Sequence, residues 1–406
     1  MPKTSTKEDK SFIITLLILS NILASMSMDI HLPLAPIIMI DLHTSEFMVQ
    51  MLFIISVVLT TTAPLFWGPL SDCYGRRSLF IPACYFMVIG QFFCSMASSI
   101  EWLLCARVIQ YLGVGAILTV AMAVICDLYQ GIARAKMLAL LEMSIPIALA
   151  LAPIIGAYTA LYLSWRYNFL FLGILQAILL SILLKMMPET LANPKPFEWN
   201  QSYQAVKSVA KNKLFMKYVM LFAVVNASYM IYITHSSFLF INNFGFDPTQ
   251  FALSQSLLVC VYFIGLVIFR LLVKTFSVSQ ILNASMIGYC LYGVLTIALL
   301  TDLLPFSPIT IISIMLISCI VSGPIITSCN SLALASCHDY LGTSSAMIEF
   351  SIGSIAGIFM LLSGYLATQN DLISVFVVIA STITLSIAMW FNLTAHSTLS
   401  AKHKFE

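Results

Sequence analysis

Asp29 and Arg107 are the side chains best suited to exchanging a proton, and both stand deep inside apolar runs. Asp29 follows eighteen uncharged residues, Ser11 to Met28, with no lysine or arginine within reach on its own segment. Arg107 lies in a second run, 101–127. An Asp or Arg at the centre of a bilayer costs about 2.5–3.5 kcal/mol, so such residues face a wet interior and pair. Asp29 is therefore a candidate to load and release a proton, and Arg107 a candidate partner to tune it. A purely structural buried pair is the alternative. His31, two residues on, and His235, after the aromatic stretch YMIYITH, are candidate cavity-lining residues. Glu142 and Glu349 sit early in two further apolar runs, where gating and interfacial anchoring are both open.

Other chemistries find no support. Ten cysteines occur but none forms CxxC, and most stand inside apolar segments rather than beside His or acids. No nucleophile with a base, no metal cluster and no phosphate-cradling loop can be read, so no enzyme, metal or cofactor is expected. A net charge of +2 without a basic stripe excludes a nucleic-acid partner.

The elements that must position these residues follow from composition. Charged residues are 9% of the chain and hydrophobic residues 60%, with a mean hydropathy of +0.98. A soluble domain carries about a quarter charged residues, so the solvent is lipid. Apolar stretches of spanning length lie at 12–40, 47–70, 78–99, 101–127, 135–162, 165–187, 214–242, 250–273, 278–300, 308–334, 342–367 and 371–394. Their continuity predicts twelve helices in an all-α integral membrane protein and excludes a barrel, whose strands would alternate over about ten residues. The first run is longer than a signal-peptide core and is read as an uncleaved span. The polar stretch 188–213 is read as a linker between a six-helix bundle over 1–187 and another over 214–406.

Basic residues set the orientation. With the N-terminus cytoplasmic, 13 Lys plus Arg76, Arg77, Arg134 and Arg270, 17 of the 19 basic residues, fall in or beside cytoplasmic segments. Asp41, Glu46, Glu101, Asp247, Asp302 and Asp371 mark the other side. LEMSI (141–145) and IEFSI (348–352) echo each other about half a chain apart, as a duplicated six-helix unit would give.

In the loop after the second run, GPLSDCYGRR (68–77), Gly68, Asp72, Gly75, Arg76 and Arg77 are spaced as in the signature loop of the major facilitator superfamily, which the chain resembles. MDIHLPLAP (28–36), ARVIQYLG (106–113), CDLYQG (126–131), LAPIIGAY (151–158), WRYNF (165–169), PETL (188–191), FGFDPTQFAL (244–253) and GTSSAM (342–347) resemble its bicyclomycin-resistance (Bcr/CflA) branch of drug–proton antiporters. Cys73, Met122 and Cys126 stand where that branch carries basic residues, and His31 where it carries Tyr.

The resemblance implies two pseudo-symmetric six-helix bundles around a central cavity, with alternating access. It implies a monomeric, proton-coupled exporter of small organic or drug-like molecules in a bacterial inner membrane, both termini cytoplasmic. Its partners would be a small-molecule substrate, protons and the lipid bilayer. Transport of a specific metabolite or siderophore in either direction, and a non-transporting sensor, are the alternatives. The implied cytoplasmic gate comprises Asp72, Gly75, Arg76, Arg77, Asp127, Glu142 and Glu349, with Asp72 facing the eleventh helix near Thr343. Solvated loop charges would explain the same residues. Ala152, Pro153 and Gly156 match the fifth-helix antiporter motif. Ala148, Ala152 and Gly156 also form a small-residue stripe that lets another helix approach.

Overall fold

The computed structural model describes residues 7–191, 199–337, 341–369 and 373–402, so Asp371 lies outside the described residues. The described chain is helical. It comprises α1 (Lys7–Asp29), a 3-10 turn (Leu32–Leu34), α2 (Ala35–Asp41), α3 (Glu46–Tyr74), α4 (Arg76–Ser95), α5 (Ile100–Leu128), α6 (Gly131–Tyr162), α7 (Arg166–Met186) and α8 (Trp199–Lys211). These are followed by α9 (Lys213–Ser237), α10 (Pro248–Leu272), α11 (Val278–Leu300), α12 (Pro308–Ala335), α13 (Leu341–Gln369) and α14 (Ile373–Lys402). Among the described residues, twelve segments are long and apolar enough to cross a membrane. In lipid every backbone polar group must be paired within the protein, which a continuous helix does by itself.

The first span, Ser11–Asp41, is broken. Pro33 and Pro36 have no N–H to donate, so two helical hydrogen bonds are lost there, and over 30–34 the α-helix gives way to a 3-10 turn. The chain answers with Ile30 N–H on the Met26 carbonyl (3.0 Å) and Leu34 N–H on that of His31 (3.0 Å). Elsewhere helix starts are capped in the ordinary way: the hydroxyls of Ser45 and Ser99 accept from Met48 N–H and Trp102 N–H.

The chain divides into two compact units. One comprises Met1–Glu198 with Phe246–Ser256, the other Trp199–Gly245 with Leu257–Glu406. The apolar core of the first joins α1, α4, α5, α6 and α7 through residues such as Leu17, Phe80, Met87, Tyr111, Ile117, Ala152 and Leu172. In the second, buried Tyr289 and Tyr292 of α11 lie 5.4 Å apart, and the Tyr289 hydroxyl pairs with Ser228 Oγ of α9 at 2.9 Å.

Candidate functional site

Arg107 is fully buried on α5, about 10 Å along the axis from the Ile100 end. Its Nη2 lies 2.9 Å from Nδ1 and 3.0 Å from Nε2 of His31. Its Nη1 donates to the Ser27 carbonyl at 3.1 Å and to Gln110 Oε1 at 3.0 Å. The guanidinium carbon sits 4.7 Å from the centre of the Tyr111 ring and 5.4 Å from that of Phe169, both within cation–π range. His31 is buried too and stacks on Phe53 of α3 at 4.5 Å. With one guanidinium nitrogen equidistant from both ring nitrogens, Arg107 lies against the ring between them rather than on a single lone pair.

The expected Asp29–Arg107 ion pair is absent. Among the described residues no carboxylate lies within 4.0 Å of Arg107. Asp29 lies within electrostatic reach of the guanidinium and is partly exposed. The cause is the break: α1 ends at Asp29, and the irregular turn presents the ring of His31, not the carboxylate, to α5.

The fifth-span motif abuts the same break. A Cβ built on Gly156 would come within 2.0 Å of the Ile30 carbonyl oxygen, so only glycine permits α6 to pass there. Ala148, Ala152, Pro153 and Ala157 are buried with it. Asn21 Nδ2 on α1 donates to Ser144 Oγ on α6 at 2.8 Å, inside the same contact.

A second cluster lies at the opposite end of the unit. Gly75 adopts φ +99°, a conformation that favours glycine, and turns α3 into α4. Arg76, 7% exposed, places Nη2 2.6 Å from Asp72 Oδ1 and Nε 2.9 Å from Asp127 Oδ2. Its Nη1 donates to Ser71 Oγ at 2.5 Å. Glu189, just past α7, accepts Arg76 N–H at 2.8 Å and Arg77 N–H at 3.2 Å, capping α4 with a carboxylate. Arg77 returns the arrangement: its guanidinium donates to the carbonyls of Leu184 (2.7 Å) and Met187 at the end of α7. Thr190 Oγ1 adds a bond to Asp127 Oδ2 at 3.3 Å.

Asp72, Gly75, Arg76, Arg77 and Asp127 are thus brought together, and Glu189 is the member that sequence reasoning passed over. Its signal was an acid at the end of one span facing two arginines at the start of another. Glu142 and Glu349 are exposed side chains on α6 and α13. His235, 2% exposed, pairs through Nε2 with Ser363 Oγ at 3.1 Å. Neither it nor His31 faces open space, so the two histidines expected to line a cavity are internal in this conformation. A third cluster was not foreseen: Asp41 at the end of α2 binds Arg166 Nη1 (2.6 Å) and Trp165 Nε1 (3.0 Å). Arg166 also donates to the Ala97 carbonyl at 3.1 and 2.7 Å.

Known proteins share this arrangement of helices. The family model of the Major Facilitator Superfamily matches residues 17–360. The uncharacterized MFS-type transporter YdgK of Bacillus subtilis is 25% identical over 342 residues, 82% of this chain and 84% of that protein. A chloramphenicol resistance protein of Pseudomonas aeruginosa is 27% identical over 243 residues, 59% of this chain and 57% of that one. The multidrug resistance protein MdtL of Escherichia coli is 28% identical over 234 residues, 56% and 58% of the two chains. The chain thus spans a little over half the length of these two drug-resistance relatives. In fold it resembles the inward-facing, occupied crystal structure of a bacterial homologue of the human lysosomal transporter Spinster. That match has a TM-score of 0.74 and 16% identity, and covers 96% of this chain and 98% of the other. A point mutant of the nucleoside transporter NupG gives a TM-score of 0.71 at 13% identity over 93% and 99%. With the family model running from the first span into the eleventh, the chain belongs to the Major Facilitator Superfamily, as a multi-pass secondary transporter and not an enzyme.

Proposed function

We propose that this protein is a proton-coupled exporter of small organic, drug-like molecules in a bacterial inner membrane, of the Bcr/CflA branch, with both termini and the 188–213 linker cytoplasmic. The observation that carries the reading is Arg107, a wholly buried guanidinium in a membrane-spanning unit, near Asp29 at a helix break and, among the described residues, with no carboxylate in pairing range. Ionisable groups in such positions mark proton and substrate paths. The drug-resistance relatives support the cargo class, and the lysine and arginine placement supports the orientation.

In this reading Asp29 takes a proton from one side and sheds it on the other as cargo loads. Arg107 stabilises the carboxylate in the deprotonated half of the cycle. Gly156 lets α6 follow the break in the first span. Asp72, Gly75, Arg76, Arg77 and Asp127 form the cytoplasmic gate of the first unit, held in register by Glu189, with Glu142 as its outlying acid.

Proton flux in proteoliposomes tests the reading, with a cargo panel that includes chloramphenicol. Cargo-triggered proton movement in the opposite sense is expected. Cargo movement with no accompanying proton flux sinks the coupling, and inward cargo movement with protons would make the protein an importer.

A further inference from the structure

We propose that His31 is a proton-operated switch that decides whether Arg107 is held by an imidazole or handed to Asp29. This rests on the proton-coupled reading above and assigns it a second proton-carrying residue.

The geometry leads there directly. Among the described residues Arg107 has no carboxylate within 4.0 Å, and its Nη2 lies against His31, 2.9 and 3.0 Å from the two ring nitrogens. A guanidinium is always charged, so this close approach is favourable only while the ring is uncharged. A second proton would set an imidazolium against a guanidinium with both groups fully buried, and the contact would break. Few groups could then receive the arginine. Tyr111 of α5 already spends its hydroxyl on the Ser27 carbonyl at 3.3 Å. Cys94 of α4 lies against Gln110 Oε1 at 3.6 Å. Toward the ring, α3 contributes Phe53 and α7 contributes Phe169, neither of which titrates. Asp29, two residues away on the same irregular segment and within electrostatic reach, is the carboxylate at hand.

The step balances. The O–H bond of protonated Asp29 breaks and an N–H bond forms on His31, so the acid becomes the carboxylate that receives Arg107. An N–H to nitrogen hydrogen bond is replaced by an N–H to carboxylate pair. The three side chains together carry one positive charge before and after, so the switch moves no net charge within the bundle. Because the Ile30 carbonyl is seated against Gly156, moving the guanidinium from residue 31 to residue 29 acts on the segment that α6 touches.

The test is nitrogen NMR of the full-length protein labelled at histidine, with the His31 signals identified by their loss in His31→Gln. As pH is lowered across the range in which the protein stays folded, His31 is expected to pass from neutral to doubly protonated. Asp29→Asn should prevent this, because no carboxylate remains to offset the paired cations. A ring that never protonates, or that titrates identically in Asp29→Asn, overturns the switch. Transport supplies a second arm, with His31→Asn beside His31→Gln in case one folds poorly; each keeps an acceptor for Arg107 but carries no exchangeable charge. Gradient-driven transport should fall roughly 100-fold in both, while exchange of preloaded cargo persists. If Asp29→Asn abolishes gradient-driven transport and both His31 variants keep it, the switch is wrong and the coupling stands. If Asp29→Asn keeps it too, the coupling reading itself has failed.

Discussion

Arg76 and Arg107 are the two formally charged side chains that lie buried among the described residues, and they are held in opposite ways. Arg76 has two carboxylates, Asp72 and Asp127, at 2.6 and 2.9 Å. Arg107 has an imidazole, a backbone carbonyl, a glutamine oxygen and two aromatic faces. At Arg76 the local charge is more than neutralised, and removing the arginine would strand acids. At Arg107 the positive charge is left over, held by dipoles and ring faces. A buried charge without a counter-ion is weak as a stabiliser and well placed to respond when a proton arrives nearby. The first cluster is built to hold helix ends together, the second to change.

Asp29→Asn should show the largest effect, with gradient-driven cargo movement in proteoliposomes falling to the level of empty vesicles and expression unchanged. Wild-type rates would reduce Asp29 to a structural residue. Gly156→Ala comes next, because its Cβ would meet the Ile30 carbonyl oxygen at 2.0 Å and backbone cannot yield cheaply. A loss of about 3 kcal/mol is expected, read as a fall in Tm in detergent.

The comparison itself is sharpened by placing methionine at each arginine. Arg76→Met should cost about 2–3 kcal/mol, less than a fully buried pair because Asp72 is half exposed. Arg107→Met strands no acid in direct contact, only Asp29 within electrostatic reach, and should cost less than Arg76→Met, about 1 kcal/mol, while losing coupling. Equal destabilisation by the two would mean that the arginines are held alike. Glu189→Ala removes the carboxylate cap of α4 and should cost about 1 kcal/mol, with greater cysteine labelling at the mouth beside Gly75. Asp41→Asn should be smallest, under about 1 kcal/mol, since the Asp41–Arg166 pair is partly exposed. A larger fall in Tm there would mark the far end of the unit as a stability centre.

Helix placement was legible because lipid leaves an apolar run of about twenty residues one solution. The run 278–300 is α11 residue for residue, and 12–40 falls within one residue of each end of Ser11–Asp41. The Arg76 cluster was half legible. Asp72 and Arg76 are four residues apart, and Asp127 ends a neighbouring run, but Glu189 reaches the turn from more than a hundred residues away. No local pattern encodes which acid a distant backbone N–H will meet.

Composition and apolar run length by themselves determined a helical membrane protein, where its twelve spans lie though not each boundary, and that Asp29 and Arg107 had to be explained. Which partner Arg107 takes was decided only by tertiary structure. Helical periodicity carries a side chain's direction along a continuous helix. The break at Pro33 and Pro36 ends that continuity, so the phase between Asp29 and His31 follows from how the loose segment packs against α5 and α6. That packing turned the imidazole, rather than the Asp29 carboxylate, toward the guanidinium.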